Sequence, residues 1–369
     1  MDFFTFSWGR NYIAVRGLLR VLGHTLSDPC EMSDAVIRQG VDISSSFMCF
    51  SGKAVIGQLV RQLDIGRRNL VYMSSQGMEA CRCSGTGDYF ERLSREKYPG
   101  FRAVRLGGGT REESLTLMRR AFPEATGKLH DRAFTVYYWK LGVLNTIAGE
   151  ALKFRCRAAD PQEVTRLEEE YVRKTDECQN LFLLWLTGFH FCRRLQRLPR
   201  RKGNPVLKIG LVGGEHILSE LDSVMGRIKA LANQGIHLEW RSGFFSINLM
   251  ANKEKPAKGR DGIPYLCSRS EEYLRPEETG TEVLSTARAL EFADEGFDGL
   301  LHIYAFGCMP QTAVKPAIQK IAADRGIPLL SLSLGDRFDQ VSMETRIEAF
   351  IDVLKSRKTQ GGKSYGRVG

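Results

Sequence analysis

The stretch that decides the fold is HIYAFGCMPQTAVKP, residues 302–316. Residues 300–304 are apolar and include a β-branched and an aromatic side chain, which predicts a buried strand. Gly307 ends this run, Pro310 stands where a helix could begin, and helical spacing follows over 312–322. Cys308 is therefore predicted on the loop between a strand and a helix, the end of a strand where open α/β sheets bind ligands. A cysteine that only fills space in a core is the competing interpretation.

The same order of strand and then helix recurs along most of the chain. Apolar runs predict strands at 3–6, 24–27, 69–73, 101–106, 207–212, 236–240, 300–304 and 328–334. Helical spacing predicts helices at 11–22, 33–39, 55–63, 88–97, 111–122, 218–231, 281–293, 312–322 and 343–354. Because this alternation is typical of parallel sheets, we predict an α/β fold with two wound, mostly parallel-sheet domains of the Rossmann or flavodoxin type.

A helical segment separates the two predicted domains, since strand signals are few between residues 129 and 198. We predict an N-terminal α/β domain at 1–125, a helical connector at 126–203, a C-terminal α/β domain at 204–356 and a basic, mobile tail at 357–369. The two α/β domains are expected to face a cleft. Segment 244–274 lacks periodicity, which predicts irregular structure.

The composition is that of an ordinary globular protein, because 43% of the 369 residues are hydrophobic and 26% are charged. No apolar run reaches the roughly 20 residues that span a bilayer. The N-terminus has no basic region followed by an apolar core and a cleavage site, so we expect a cytoplasmic protein. Nine cysteines in that compartment indicate metal binding, catalysis or burial rather than a disulfide framework.

The formal charge of +10 predicts anionic partners. Candidates are phosphorylated small molecules, nucleotide carriers, an acidic protein and nucleic acid. The basic stretches at 193–202 and 355–367 are not interleaved with the aromatic residues of a single-strand-binding surface. A solvated charged face and a mobile tail account for them, so nucleic-acid binding is not favoured.

Three cysteines share one predicted setting, a loop beside the start of a helix: Cys49, Cys81 and Cys308. The amino end of a helix favours the thiolate form of a cysteine. Two of the three belong to the first predicted domain and one to the second, so they can converge only if the domains face each other. Thiolates hold iron–sulfur clusters, and three of them leave one iron open for a substrate or another ligand. Nearby cations would offset the negative charge of such a site, namely Lys53, Arg82 and Lys315.

Other metal and nucleotide patterns are weak. Compact Cys-x-x-Cys pairs are absent, which argues against zinc ribbons and ferredoxins. The glycines at positions 210, 213 and 214 do not have the spacing of a dinucleotide-binding fingerprint. The scattered residues Cys156, Cys178, His190 and Cys192 are predicted to be packed or surface residues.

Several segments carry a resemblance to a known family. They are WGRNYIAVRGLLRVLG (8–23), SFMCFSGK (46–53), EACRCSGTGDYF (79–90), KIGLVGGEHIL (208–218), GFDGLLHIYAFGCMPQTAVKPAIQKIAADRGIPLLSL (296–332) and ETRIEAFIDVL (344–354). Together they resemble the CoA-protein-activase family, which is related to 2-hydroxyacyl-CoA dehydratase subunits and to double-cubane-cluster proteins. The segment around Cys308 is the most specific.

The resemblance implies that Cys49, Cys81 and Cys308 ligate a four-iron four-sulfur cluster. It further implies low-potential electron transfer in an anaerobe, with electrons supplied by an ATP-hydrolysing activator or reductase protein. Dehydratase relatives remove water from a 2-hydroxyacyl-CoA thioester by radical chemistry, so a CoA thioester or another small anionic substrate is expected. Glu215 lies in the glutamate turn between the domains, and a homodimer or heterodimer is compatible with the family.

The sequence departs from the family pattern around the cysteines. Met78 stands where many members have a further cysteine, and Ser51 and Ala80 replace prolines. Cys83 stands where an apolar residue is usual, which makes it a candidate fourth ligand. The glycine at 335 followed by Asp336 replaces an acidic pair. These departures weaken the expectation of dehydratase catalysis more than that of cluster binding.

Two other functions stay open from the sequence. A degenerate member could serve as a non-catalytic accessory or binding subunit. A cysteine-dependent enzyme could use Cys308 as a nucleophile, which requires a nearby base. His302, on a predicted buried strand, and His216, at another strand end, are weak candidates for that base.

Overall fold

The computed structural model describes residues 1–73, 86–107, 111–203, 205–220, 222–241, 263–274, 281–336 and 340–361. Over these residues the protein is a mixed α/β protein with parallel sheets, as predicted. The strands are β1 (Asp2–Phe3), β2 (Thr25–Leu26), β3 (Asn69–Tyr72), β4 (Arg102–Arg105), β5 (Lys208–Gly213), β6 (His237–Trp240), β7 (Gly299–Ala305) and β8 (Leu329–Leu334).

Helices follow or separate most of these strands. They are α1 (Tyr12–Val21), α2 (Asp34–Ile43), α3 (Phe50–Asp64), α4 (Thr86–Lys97), α5 (Arg111–Ala121), α6 (Gly127–Arg155), α7 (Pro161–Glu177), α8 (Leu181–Gln196), α9 (Glu215–Glu220), α10 (Asp222–Asn233), α11 (Ile263–Ser270), α12 (Thr281–Asp294), α13 (Met309–Asp324) and α14 (Gln340–Gly361).

The C-terminal sheet has four parallel strands in the order β6-β5-β7-β8. Its strands alternate their side chains between two helical layers. Leu301 and Ile303 pack with residues of α10 and α14, whereas Leu300 packs with residues of α12 and α13. The chain runs from β5 outward to β6 and then returns to β7 and on to β8. The direction therefore reverses between β5 and β7, and such a reversal opens a crevice at the carboxyl ends of the two strands.

The N-terminal strands are shorter and form parallel pairs. β1 pairs with β2, β3 pairs with β4, and a bridge from Phe4 to Leu70 links the two pairs. Helices α2 and α3 pack with their backbones in contact. If Gly40 or Gly57 carried a Cβ atom, that atom would overlap a carbonyl oxygen of the other helix, at 1.9 and 2.0 Å respectively. The two glycines therefore set the position of α3.

Helices α6, α7 and α8 occupy the middle of the chain and pack around their own apolar cluster. A buried ion pair joins α6 to α7, with Arg155 donating to Glu168 at 2.7 Å. Lys229 of α10 also reaches Glu168, at 3.3 Å. This carboxylate therefore ties the middle helices to the C-terminal sheet.

Several helices differ from the predicted bounds. Helix α13 begins at Met309, one residue before the start predicted at Pro310, because proline fits the first turn of a helix, where no backbone donor is needed. Helix α9 begins at Glu215, where a tight glycine turn ends β5, so His216 is helical. The prediction of irregular structure over 244–274 is wrong for the described part, since 263–270 form α11. Pro264 occupies the first turn of that helix, and Leu266 is buried against α12.

The last helix is also longer than predicted. Helix α14 runs from Gln340 to Gly361, whereas the apolar spacing predicted 343–354. Its exposed last turns carry no apolar residues that a periodicity could reveal. It includes the first residues of the segment predicted to be a mobile tail, and 362–369 lie outside the described residues.

Candidate functional site

The candidate site lies at the carboxyl ends of β5 and β7. Between these two parallel strands the chain reverses the direction in which it adds strands to the sheet. After β7 the chain turns at Gly307, which has a φ of +74°, a value that favours glycine. Cys308 follows as the N-cap of α13. Its backbone N–H donates to the carbonyl of Ala305 at 3.0 Å, and its own carbonyl accepts from the N–H of Thr312 at 3.0 Å. Cys308 is half-buried at the crevice.

Helix α3 reaches the same crevice from the N-terminal half of the chain. Phe50, its first residue, is buried in the core of the C-terminal sheet. The Phe50 N–H donates to the carbonyl of Phe306 at 2.9 Å. If Gly307 carried a Cβ atom, it would lie 3.3 Å from the Cα of Cys49. The backbone next to Cys308 is thus in direct contact with Cys49, as a converging site requires.

The two cysteines occupy equivalent positions. Each is the N-cap residue of a helix and has an extended backbone, with φ/ψ of −70°/156° at Cys49 and −70°/111° at Cys308. Neither side chain caps its own helix. Cys49 is only 3% exposed. Because the amino ends of α3 and α13 meet here, the local field favours negative charge, including thiolates.

A third strand end joins the crevice through an ion pair. Lys53 lies one turn after Cys49 on α3, and its ammonium pairs with the carboxylate of Asp336, which follows β8. Lys53 is 7% exposed, whereas Asp336 is exposed. A Cβ atom on Gly335 would lie 3.2 Å from the Cβ of Phe306, so the segments after β7 and β8 are in contact. The carboxylate of Asp336 therefore neutralises the Lys53 ammonium, whose positive charge was predicted to offset the negative charge of a cluster.

Glu215 lies on the β5 side of the crevice. It is the first residue of α9 and is 8% exposed. The preceding turn packs against β7, because the N–H of Gly214 donates to the carbonyl of Ile303 at 2.9 Å. A Cβ atom on Gly213 would overlap the same carbonyl oxygen at 2.0 Å. Gly213 therefore lets β5 end against β7, and the hydrogen bond from Gly214 fixes the backbone that leads into Glu215.

Lys315 is half-buried on α13, two turns after Cys308. Its charge acts on His302, the central histidine of β7. Burial is the main cause that lowers the pKa of His302 to about 4; a hydrogen bond with Gln311 opposes the shift, and Lys315 adds to it. His302 is thus neutral near pH 7.

Neither histidine considered as a base for Cys308 is suited to that role. His302 Nε2 lies 3.1 Å from Gln311 Oε1, and its Nδ1 lies 3.4 Å from Ser331 Oγ, so both nitrogens are engaged within the core. The ring of His216 contacts that of Trp8, with centroids 6.0 Å apart. Its ring nitrogens are buried and have no hydrogen-bond partner among the described residues. Burial lowers the pKa of His216 to about 3.

The remaining predicted ligands, Cys81 and Cys83, lie outside the described residues, as does Arg82. Over the residues that are described, no group of three or more His, Cys, Asp or Glu side chains is arranged to hold a metal ion. Of the predicted site residues, Cys49, Lys53, Glu215, Cys308 and Lys315 are described. Four of them border the crevice at the ends of β5 and β7, and Lys315 follows along α13.

A buried Cys–His–Glu row in another part of the protein was not predicted as a group. Cys156 Sγ lies 3.7 Å from His237 Nδ1, and His237 Nε2 lies 3.4 Å from Glu239. All three side chains are buried, and burial raises the pKa of Cys156. Cys156 is thus a packed residue, as the sequence predicted.

Exposed apolar side chains flank the two cysteines, a feature that was not predicted from the sequence. Phe47 is 77% exposed, Phe306 is 68% exposed and Met309 is 44% exposed. Each stands one or two residues from Cys49 or Cys308 in the chain. Their closeness in sequence to loop cysteines is the signal that could have identified them. They form an apolar rim around the crevice.

No protein-family model matches this chain, and no curated protein matches its sequence. In the part of the chain that the structure describes, none of the helices combines the length and the apolar character needed to cross a bilayer.

Proposed function

We propose that this is an iron–sulfur protein that transfers electrons at low potential, with a four-iron four-sulfur cluster at the crevice. Cys49 and Cys308 would be two ligands, Cys81 the third, and Cys83 a candidate fourth. Two wound α/β domains of the Rossmann or flavodoxin type would face each other across this site. The observation that carries the proposal is the contact between Gly307, next to Cys308, and Cys49, which come from opposite ends of the chain.

The chemistry of the donors fits such a cluster. Thiolate sulfur is the usual ligand of iron–sulfur clusters, and both cysteines stand at the amino ends of helices. Helix N-termini stabilise negative charge, which a thiolate-ligated cluster carries. The cluster would supply one-electron chemistry. The chain would hold the sulfur atoms in place, limit access of water at Cys49, and set the potential through burial and charge.

The neighbouring residues would act on position and charge. The Lys53–Asp336 pair joins α3 to the end of β8 and so fixes the distance between the two halves of the site. Glu215 would border the crevice from β5. Lys315, and Arg82 beyond the described residues, would supply positive charge toward an anionic substrate.

The partners follow from the family resemblance and from the net charge of +10. We propose an ATP-hydrolysing activator or reductase protein as the electron donor, and a CoA thioester or another small anion as the substrate, in the cytoplasm of an anaerobe. Electron transfer is better supported than dehydration, because the departures around Cys49 and Cys81 affect the surroundings of the ligands rather than the ligands.

The test is the visible absorption and electron paramagnetic resonance of protein purified without oxygen. The wild type is expected to show a broad visible band that bleaches with dithionite, together with a low-temperature signal from the reduced cluster. Cys308→Ala is expected to lose both. Cys178→Ala, which removes a half-buried cysteine at the end of α7, serves as the matched control and should keep both.

A wild type that stays colourless after reconstitution with iron and sulfide contradicts the proposal and leaves the accessory-subunit alternative. The cysteine-enzyme alternative gains no support from His302 or His216, because burial lowers the pKa of the two rings to about 4 and about 3, which makes both of them weak bases.

A further inference from the structure

Helix α8 carries a stripe of apolar side chains that the described part of the chain leaves exposed. Phe182 is 65% exposed, Trp185 49% and Phe189 45%, and Leu183 beside them is 50% exposed. The ring of Trp185 stacks on that of Phe189, with centroids 5.7 Å apart and planes within 9°. The steps from Phe182 to Trp185 to Phe189 to Cys192 alternate between three and four residues, which is the spacing of a helix–helix seam.

A groove runs beside this stripe, between α8 and α6. It has a volume of about 850 Å³, and its lining includes Trp139, Gly149 and Gly188. A Cβ atom on Gly188 would lie 3.7 Å from Val143, and one on Gly149 would lie 3.7 Å from the carbonyl of Trp240, which are ordinary contacts. Packing within the chain therefore does not require either glycine. Their effect is to keep the groove open.

The same surface thus has exposed aromatic rings and, beside them, a groove lined in part by aromatic side chains. A two-fold symmetric interface needs such a surface, because each copy offers the same patch to the other. We propose that α8 packs antiparallel against α8 of a second copy of this chain, with the two-fold axis near Trp185. Phe182 and Gly188 lie three residues on either side of Trp185. The Phe182 ring of one copy then enters the groove of the other copy beside Gly188.

Charge complementarity supports the antiparallel arrangement. Glu177 is exposed just before the amino end of α8, and Arg193 is exposed near its carboxyl end. Antiparallel pairing brings Glu177, the last residue of α7, toward Arg193 near the carboxyl end of α8 in the other copy, twice per dimer. A parallel pairing would place like charges together.

The floor of the groove also favours a second copy over a strongly charged ligand. Lys153 pairs with Glu150 and Glu239, and Arg241 pairs with Glu239, Glu291 and Glu295. These cations are balanced by carboxylates of the same chain. The aromatic stripe and the balanced floor therefore fit an apolar surface such as the stripe itself.

Sedimentation equilibrium over a range of protein concentrations tests this interface. The wild type is expected to be a dimer, and Phe182→Asp and Trp185→Asp are expected to raise the dimer dissociation constant on the order of a hundredfold. Val353→Asp changes an apolar residue of α14 that is 53% exposed, and it should leave the dissociation constant unchanged. Circular dichroism checks that the variants stay folded, which their exposure predicts.

A charge reversal tests the antiparallel register. Glu177→Arg and Arg193→Glu are each expected to weaken the dimer on the order of tenfold, and the double variant is expected to recover most of that loss. A wild type that is monomeric at every concentration overturns the proposal, whatever else occupies the groove. A dimer that ignores Phe182→Asp, or a double variant without recovery, also overturns it. The measurement is made with and without iron, so its outcome is independent of the cluster.

Discussion

The two sheet regions of this protein bury their strands to different extents. Every residue of β7 is buried, whereas every residue of β4 is half-buried or exposed. In the N-terminal half the most enclosed element is α3, which is covered by α2 and by the edge of the C-terminal sheet. The candidate site therefore has two unlike sides. One is built on the strands β5 and β7, and the other is held in place by α3.

The contacts of α3 explain how the second side is held. Phe50 enters the core of the C-terminal sheet, the Phe50 N–H binds the carbonyl after β7, and Lys53 pairs with Asp336. These are three independent contacts within the first turn of one helix. Cys49 precedes that turn, so its position follows the C-terminal sheet as well as its own half of the chain.

The largest expected effect is the loss of the Phe50 ring. Phe50→Ala leaves a cavity in the core of the C-terminal sheet and should lower the free energy of unfolding by about 3–5 kcal/mol. It should also broaden the unfolding transition, because the first turn of α3 loses its anchor. Urea denaturation followed by circular dichroism measures both. Phe47→Ala is the matched control, since that ring is 77% exposed, and should cost less than about 0.5 kcal/mol. Equal costs would show that Phe50 does not join the two regions.

The next expected effect is a pH dependence of the free energy of unfolding that comes from His302 on the buried strand β7. Burial lowers the folded-state pKa of His302 to about 4 from 6.5, so the unfolded chain binds more protons between these values. The stabilisation is complete above about pH 6.5 and is lost as the pH falls toward 4, by on the order of 3 kcal/mol. His302→Asn should make this dependence less steep, measured by denaturation at several pH values, and should leave the part that comes from the lowered pKa of His216. His190→Asn, at an exposed position on α8, should leave the slope as in the wild type. If the free energy of unfolding falls with pH as steeply in His302→Asn as in the wild type, His302 is not a source of this pH dependence.

The smallest effect concerns the ion pair that joins the two regions. Asp336→Asn should lower the free energy of unfolding by about 1–3 kcal/mol, because it leaves the buried Lys53 ammonium without its partner. Lys53→Met should cost less, because water reaches the exposed Asp336 carboxylate that remains. The double variant should cost less than the sum of the two. A double-mutant cycle measures the coupling energy. Strictly additive losses would mean that the pair does not hold α3 to the end of β8.

The local part of the site could be predicted from the sequence. The apolar run of β7, the glycine after it and the helix that follows placed Cys308 at a strand end, and the helical pattern over 55–63 placed Cys49 before a helix. Short-range periodicity contains that information. The start of α13 was predicted at Pro310, one residue late, because a proline marks the first turn of a helix without fixing its first residue.

The contacts between distant parts of the chain could not be predicted in this way. Cys49 and Cys308 are 259 positions apart, and no local pattern records that Phe50 packs under β7. The pairing of Lys53 with Asp336 depends on the same docking. The exposed stripe on α8 was hidden for another reason. That helix is apolar on two faces, and spacing alone does not tell which face the α6 and α7 helices cover.

The most direct test of the central claim is the iron and acid-labile sulfide content per chain, in protein purified without oxygen. We expect about four of each in the wild type and in Cys178→Ser, and a loss of most of both in Cys49→Ser and in Cys308→Ser alike, because the cluster needs ligands from both regions. Iron that persists in either Cys49→Ser or Cys308→Ser, or a wild type that takes up none on reconstitution, would contradict a cluster bridging the two sides of the crevice.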